Sequence, residues 1–154
     1  MSLEIIIGNH QEALEIPVSW LTALEDIGEQ AAEMALELAA CEEHSLLHLA
    51  TLEVAMVDDE TSARVHMDFM GIEGATDVIT FHHGEIVIGV EVAKRQAEEY
   101  GEPFGREMLR YFVHGLLHLA GHEDGTEEQR KVMEAAQEEI VSRLWLGGLH
   151  TRIS

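Results

Sequence analysis

Thiols are almost absent from this 154-residue chain, which has one cysteine, Cys41. A lone cysteine excludes an intramolecular disulfide and fits a reducing compartment. It is expected to be a small, buried or half-buried side chain at a helix end. Basic residues are scarce as well: nine Lys and Arg face thirty Asp and Glu, for a formal net charge of -21. A field of that sign repels membranes and anionic polymers, and it counts against a nucleic-acid enzyme, whose phosphate contacts normally supply much of the affinity. Most of the acids are expected to solvate outer helix faces. Four of the nine cations, Lys94, Arg95, Arg106 and Arg110, share one short stretch, where a local positive patch could form. No apolar segment is long enough to span a bilayer. Met1 to Asn9 lacks the basic start of a signal peptide, and Glu4 interrupts its apolar run. Neither a repeat nor a low-complexity linker divides the chain. These absences predict a single cytoplasmic domain over residues 1–154, large enough to bury a core without staples.

The patterns that are present alternate between periods of two and of 3.6. Leu3 to Ile7 reads as a short strand. After Pro17, with Ser19 as N-cap, Trp20, Leu24, Ile27, Ala31, Ala35 and Leu38 recur at helical spacing. Leu46 to Val57 alternates as a long strand, and Thr61 to Met70 reads as a short helix with Val65 and Phe69 inward. Two β-type runs, Thr76 to Phe81 and Glu85 to Gly89, flank His82-His83-Gly84 and predict a hairpin with a polar turn. Val90 to Tyr100 is helical and stops at Gly101; Pro103 opens a helix to about Ala120 that is apolar on nearly every face. Thr126-Glu127-Glu128-Gln129 has the form of a capping box and begins a last helix, ended by Gly147-Gly148. Segregated strands and helices make the fold class α+β: a small mixed β-sheet packed with helices around a buried central metal-binding helix.

That central helix carries His114-Gly115-Leu116-Leu117-His118-Leu119-Ala120-Gly121-His122-Glu123-Asp124. Histidines four apart project from one helix face, and their ring nitrogens can converge on one ion. A third ligand cannot come from the same straight helix at the needed angle. Gly121 accepts a positive φ, so the chain can turn beneath the ion and return Asp124, three residues on. His122 is the rival third ligand, which the Gly121 break is expected to turn toward solvent or to a supporting role behind the ligands. Two histidines packed in an apolar core would each need a polar partner, and a shared metal supplies both at once. His-x-x-x-His-x-x-Gly-x-x-Asp has the spacing of the extended zincin motif with a carboxylate for its last histidine. In His-Glu-x-x-His proteases the residue after the first histidine is the general base, and here it is Gly115. Peptide hydrolysis by that route is therefore disfavoured. Proton transfer would fall to water acidified by the ion or to carboxylates such as Glu85 and Glu123.

His-Gly-Leu-Leu-His-Leu-Ala-Gly closely resembles the YbeY family of bacterial endoribonucleases, or rRNA maturation factors, with its His-Gly-x-Leu-His-Leu-x-Gly-Tyr-Asp-His pattern. Thr76-Asp77-Val78-Ile79-Thr80-Phe81 is similar to that family's Thr-Asp-Val-Leu-Ser-Phe strand, and Gly84-Glu85-Ile86 to its Gly-Asp-Ile. The resemblance implies one zinc ion at the mouth of a cleft between helix and sheet. It further implies single-strand-specific cleavage of rRNA precursors in ribosome maturation and quality control. It carries His114 and His118 over as ligands and puts Asp124 where the family has a third histidine. Two departures stand out. Met70 occupies the position of an arginine that would grip phosphate, and His82-His83 replaces a Phe-Pro continuation. The acidity and the missing arginine favour an alternative: a weakly catalytic or non-catalytic ribosome-associated factor that binds basic ribosomal proteins or a GTPase.

Overall fold

Alternation puts Leu52, Val54 and Met56 on one face of strand β2 (Thr51–Val57), where each is 2% exposed or less. In a computed structural model that describes residues 3–154, β2 lies inside a four-stranded sheet. Strand β1 (Glu4–Asn9) runs parallel to it on one side and β4 (Glu85–Gly89) parallel on the other; β3 (Val78–Phe81) closes the edge antiparallel to β4. Register places Ile86 and Ile88 opposite Val54 and Met56, so one face of the sheet is a continuous apolar floor. Helices α1 (Val18–Glu37), α4 (Phe104–Leu119) and α5 (Glu127–Leu144) belong to the core on that side. A smaller cluster of Val57, Ile79 and Val87 includes Val65 from helix α2 (Asp59–Met70). Helix α3 (Val90–Tyr100) follows β4 directly and packs on α4. The fold is α+β. Among the described residues, no helix is long and apolar enough to cross a membrane.

Local signals hold at most element ends. Gly101 has φ 65° and closes α3, and Thr126 and Gln129 form the reciprocal capping box of α5. The His82-His83-Gly84 turn does join β3 to β4. Four details differ from the sequence pattern. Pro17, not Ser19, is the N-cap of α1: its ψ of 140° is extended, so helical geometry begins only at Val18, and its carbonyl already accepts the Trp20 amide at 2.9 Å. Ser45–His48 forms a 3-10 turn that buries Leu46, so the strand starts only at Thr51. Helix α2 starts two residues before Thr61, where the Asp58 carboxylate accepts the Thr61 amide, and Phe69 is 68% exposed, edge-on to Phe81. Cys41 is exposed in the loop after α1.

Helix α4 approaches the sheet through Gly115. A Cβ there would lie 2.6, 2.8 and 2.9 Å from three side-chain carbons of Ile86, itself fully buried. Any side chain would therefore lift the helix from the floor, and a glutamate at this position has no room. Gly115→Ala should cost about 1–3 kcal/mol through overpacking. Urea denaturation should give a lower midpoint at unchanged slope; an unchanged midpoint would mean that this contact is slack.

Candidate metal centre

His114 and His118 stand one turn apart on α4, with their Nε2 atoms 3.1 Å from each other. Each ring is oriented from its far side. His118 Nδ1 donates to the main-chain carbonyl of His122 at 3.0 Å. His114 Nδ1 donates to Gln137 Oε1 at 2.8 Å, and Gln137 Nε2 in turn donates to Glu138 Oε2 at 3.1 Å, which fixes the amide's orientation. With both Nδ1 protons committed, a neutral ring presents only a lone pair at Nε2. Burial, and after it the neighbouring His114, holds the pKa of His118 below its usual value, which keeps that ring neutral.

The turn after α4 completes the set. The amides of Gly121 and His122 return to the carbonyls of His118 and Leu117, the paired bonds of a Schellman motif. Gly121 has φ 93°, and a Cβ there would meet Cys41 Sγ at 2.6 Å, so the residue is doubly constrained. The turn aims the His122 carbonyl at His118 and brings Asp124 Oδ2 to 3.8 Å from His114 Nε2 and 3.5 Å from His118 Nε2. A tetrahedral ion with arms of about 2.0–2.1 Å needs ligand atoms about 3.3–3.4 Å apart. The observed edges of 3.1, 3.5 and 3.8 Å straddle that value, and two facing lone pairs repel unless a cation or proton lies between them. The three side chains form a cluster able to hold a metal ion.

The rival, His122, is not in solvent. It is 5% exposed, and its Nε2 donates to the Leu38 carbonyl at 2.7 Å, pinning the end of α1 to the turn. Its ring is far from ligation, while its main chain orients His118. Glu85 is paired with His83 at 3.4 Å, and Glu123 accepts from Gln129 at 3.3 Å. Neither is among the residues that line the cleft beside the cluster, and Glu123 lines a separate pocket with Gly121, His122 and Gln129.

That cleft has two lobes, of about 550 and 590 Å³, which share Asp77, His114 and Asp124. One lobe lies toward α5 and includes Arg110, Tyr111, Arg130 and Gln137. Burial, then Glu107, pushes the Tyr111 hydroxyl well above its usual range, so it stays protonated. The other lobe follows the edge strand β3 and includes Met70, Thr80, Phe81 and His82. Asp77 Oδ1 accepts from the Val78 amide at 2.7 Å and the Thr76 hydroxyl at 3.2 Å, which leaves its second oxygen uncommitted. Gln137 is a partner of the candidate site that the motif did not reveal. Its signal was a polar side chain on the buried stripe of Met133, Ile140, Val141 and Leu144.

The four clustered cations do not make a positive patch. Arg95 pairs with Asp59, Lys94 with Glu98 and Arg106 with Glu102. Arg110 bonds Glu102, Glu107 and Glu138 together; its bond to Glu138 raises its own pKa and lowers that carboxylate's. Of these pairs, Arg95–Asp59 joins α3 to α2 and Arg110–Glu138 joins α4 to α5, while Lys94–Glu98 and Arg106–Glu102 are local.

Comparison with known proteins agrees with this architecture. The chain matches the family described as "Endoribonuclease YbeY" over residues 7–145. Relatives of that name include one from Caldanaerobacter subterraneus subsp. tengcongensis, 35% identical over 70% of this chain and 82% of its own. Another, from Symbiobacterium thermophilum, is 34% identical over 94% of this chain and 99% of its own. A solution structure of a Thermotoga maritima protein aligns with a TM-score of 0.62 at 25% identity, covering 96% of this chain and 92% of that one. From residue 7 to residue 145, then, the chain belongs to the YbeY endoribonuclease family.

Proposed function

We propose that this protein is a zinc-dependent endoribonuclease that cleaves single-stranded segments of rRNA precursors in ribosome maturation and quality control. The observation that carries the reading is the pair of facing Nε2 atoms with Asp124 beside them at an open cleft. His114, His118 and Asp124 would hold the ion. Zinc bound there supplies a Lewis acid that polarises a phosphoryl oxygen and acidifies water. Asp124 brings a negative charge that a third imidazole would not, which tempers that acidity. Gln137 and the His122 carbonyl keep the two rings in the ligating tautomer. Asp77, common to both lobes and with one oxygen uncommitted, is the carboxylate best suited to accept a proton from the attacking hydroxyl. Glu85 and Glu123, engaged outside the cleft, suit that task less.

The isolated protein should carry about one zinc per chain, and Asp124→Ala should lose metal while staying folded. His122→Ala should lose stability, through the Leu38 contact, yet keep its metal. Elemental analysis that finds no transition metal after metal-replete growth, or a His122→Ala protein stripped of metal beside a loaded Asp124→Ala, would sink the ligand assignment.

Met70 is 56% exposed in the β3 lobe, where the family's arginine position falls. Among the described residues, no lysine or arginine lines that lobe. Met70→Arg should therefore speed cleavage, by about tenfold to a thousandfold, the range for one well-placed donor in a desolvated site. Single-turnover cleavage of one RNA by both proteins, at matched zinc content and low salt, measures it. Rapid wild-type cleavage with no gain in the variant would count against a phosphate-binding role for this position. A metal-loaded protein that cleaves no RNA but is retained on ribosomal proteins would favour the non-catalytic ribosome-associated role.

A further inference from the structure

We propose that Arg130 is the residue through which the α5 side of the cleft holds an RNA phosphate. The inference rests on the endoribonuclease reading and concerns how this acidic chain meets its substrate. Three cations line that lobe. Arg110 is spent on three carboxylates, and Lys131 sits 3.7 Å from Glu127. Arg130 is exposed and makes no ion pair among the described residues. Its one side-chain bond runs from Nη1 to the main-chain carbonyl of Asp124, at 3.2 Å.

That bond ties the guanidinium to the chain that supplies the third ligand and leaves most of its donor fork free. The planar fork matches two phosphate oxygens at once, which an ammonium group cannot do. Its position is fixed from below: the Arg130 amide bonds the Thr126 carbonyl at 2.9 Å, within the capped first turn of α5. The need for it is electrostatic. Asp77 and Glu134 line the same lobe with no cation paired to them among the described residues, so a phosphate entering there meets repulsion that the ion and the unpaired Arg130 are best placed to oppose. The β3 lobe has no such cation, so the strand should be gripped on the α5 side of the metal and held loosely on the other.

Arg130→Gln keeps a donor for the Asp124 carbonyl and removes the charge; Arg130→Lys keeps the charge and removes the fork. The zinc-loaded proteins should be titrated with a single-stranded 2′-O-methyl oligonucleotide over a series of salt concentrations, and their cleavage of the unmodified RNA measured in parallel. Arg130→Gln, at full zinc content, should bind about tenfold more weakly at low salt. Its log–log salt slope should shrink by about 0.7, the value for one phosphate contact on a single strand. Cleavage should fall mainly through KM, and Arg130→Lys should recover the slope but only part of the affinity. Unchanged affinity and slope in Arg130→Gln, beside a wild type that cleaves, would overturn this inference alone. Loss of zinc from Arg130→Gln would overturn it in favour of a brace for the Asp124 loop. A wild type that neither binds nor cleaves RNA would overturn the endoribonuclease reading and this inference with it.

Discussion

Each metal-facing nitrogen is free because the opposite nitrogen of its ring is already committed. For His118 the commitment is to the His122 carbonyl, which exists in that orientation only because Gly121 turns the chain with φ 93°. The same turn returns Asp124 to the cluster, so one left-handed residue both orients His118 and brings the third candidate ligand into place. For His114 the commitment crosses to another helix, through Gln137 and Glu138 to Arg110. The ligating tautomers therefore depend on α4 and α5 being packed together, and the metal centre is a property of the assembled core rather than of one helix.

The charge balance takes on a different meaning inside the fold. A net charge of -21 suggests a surface hostile to RNA, and the clustered basic residues suggest a local exception to it. Folding reverses the second suggestion. Lys94, Arg95, Arg106 and Arg110 each meet a carboxylate and spend their charge on helix packing. On the proposed reading, attraction for a phosphate chain is left to the ion and the cations beside it, within a Debye length of about 8–10 Å. Recognition built this way is short-ranged and has a shallow salt dependence, because the slope scales with the number of phosphates contacted.

Two substitutions limit the chemistry in different ways. Gly115 excludes a general base on the ligand helix, and the reason is packing: the position is the point of closest approach to Ile86. Met70 stands exposed on the rim of a lobe that, among the described residues, has no lysine or arginine. The first is enforced by the core and the second is free to vary, so only the second can tune activity without remaking the fold.

Periodicity by itself determined the α+β class, the hairpin, the buried central helix and the capping box of α5, because these depend on contacts within a few residues. The i, i+4 histidines and the glycine three before Asp124 were legible for the same reason: a helix and one turn are local geometry. Local pattern misread Phe69 as inward and Ser19 as a cap, where the edge of the sheet and the extended ψ of Pro17 decided otherwise. Tertiary structure alone decided that Gln137 would orient His114 across 23 residues, that His122 would point at Leu38 across 84, and that Arg130 would reach the Asp124 loop unpaired. It also placed Asp77, rather than Glu85 or Glu123, among the residues that line both lobes of the cleft. Which polar groups share a cleft follows from how separate helices and a sheet edge come together, and no spacing along the chain encodes that distance.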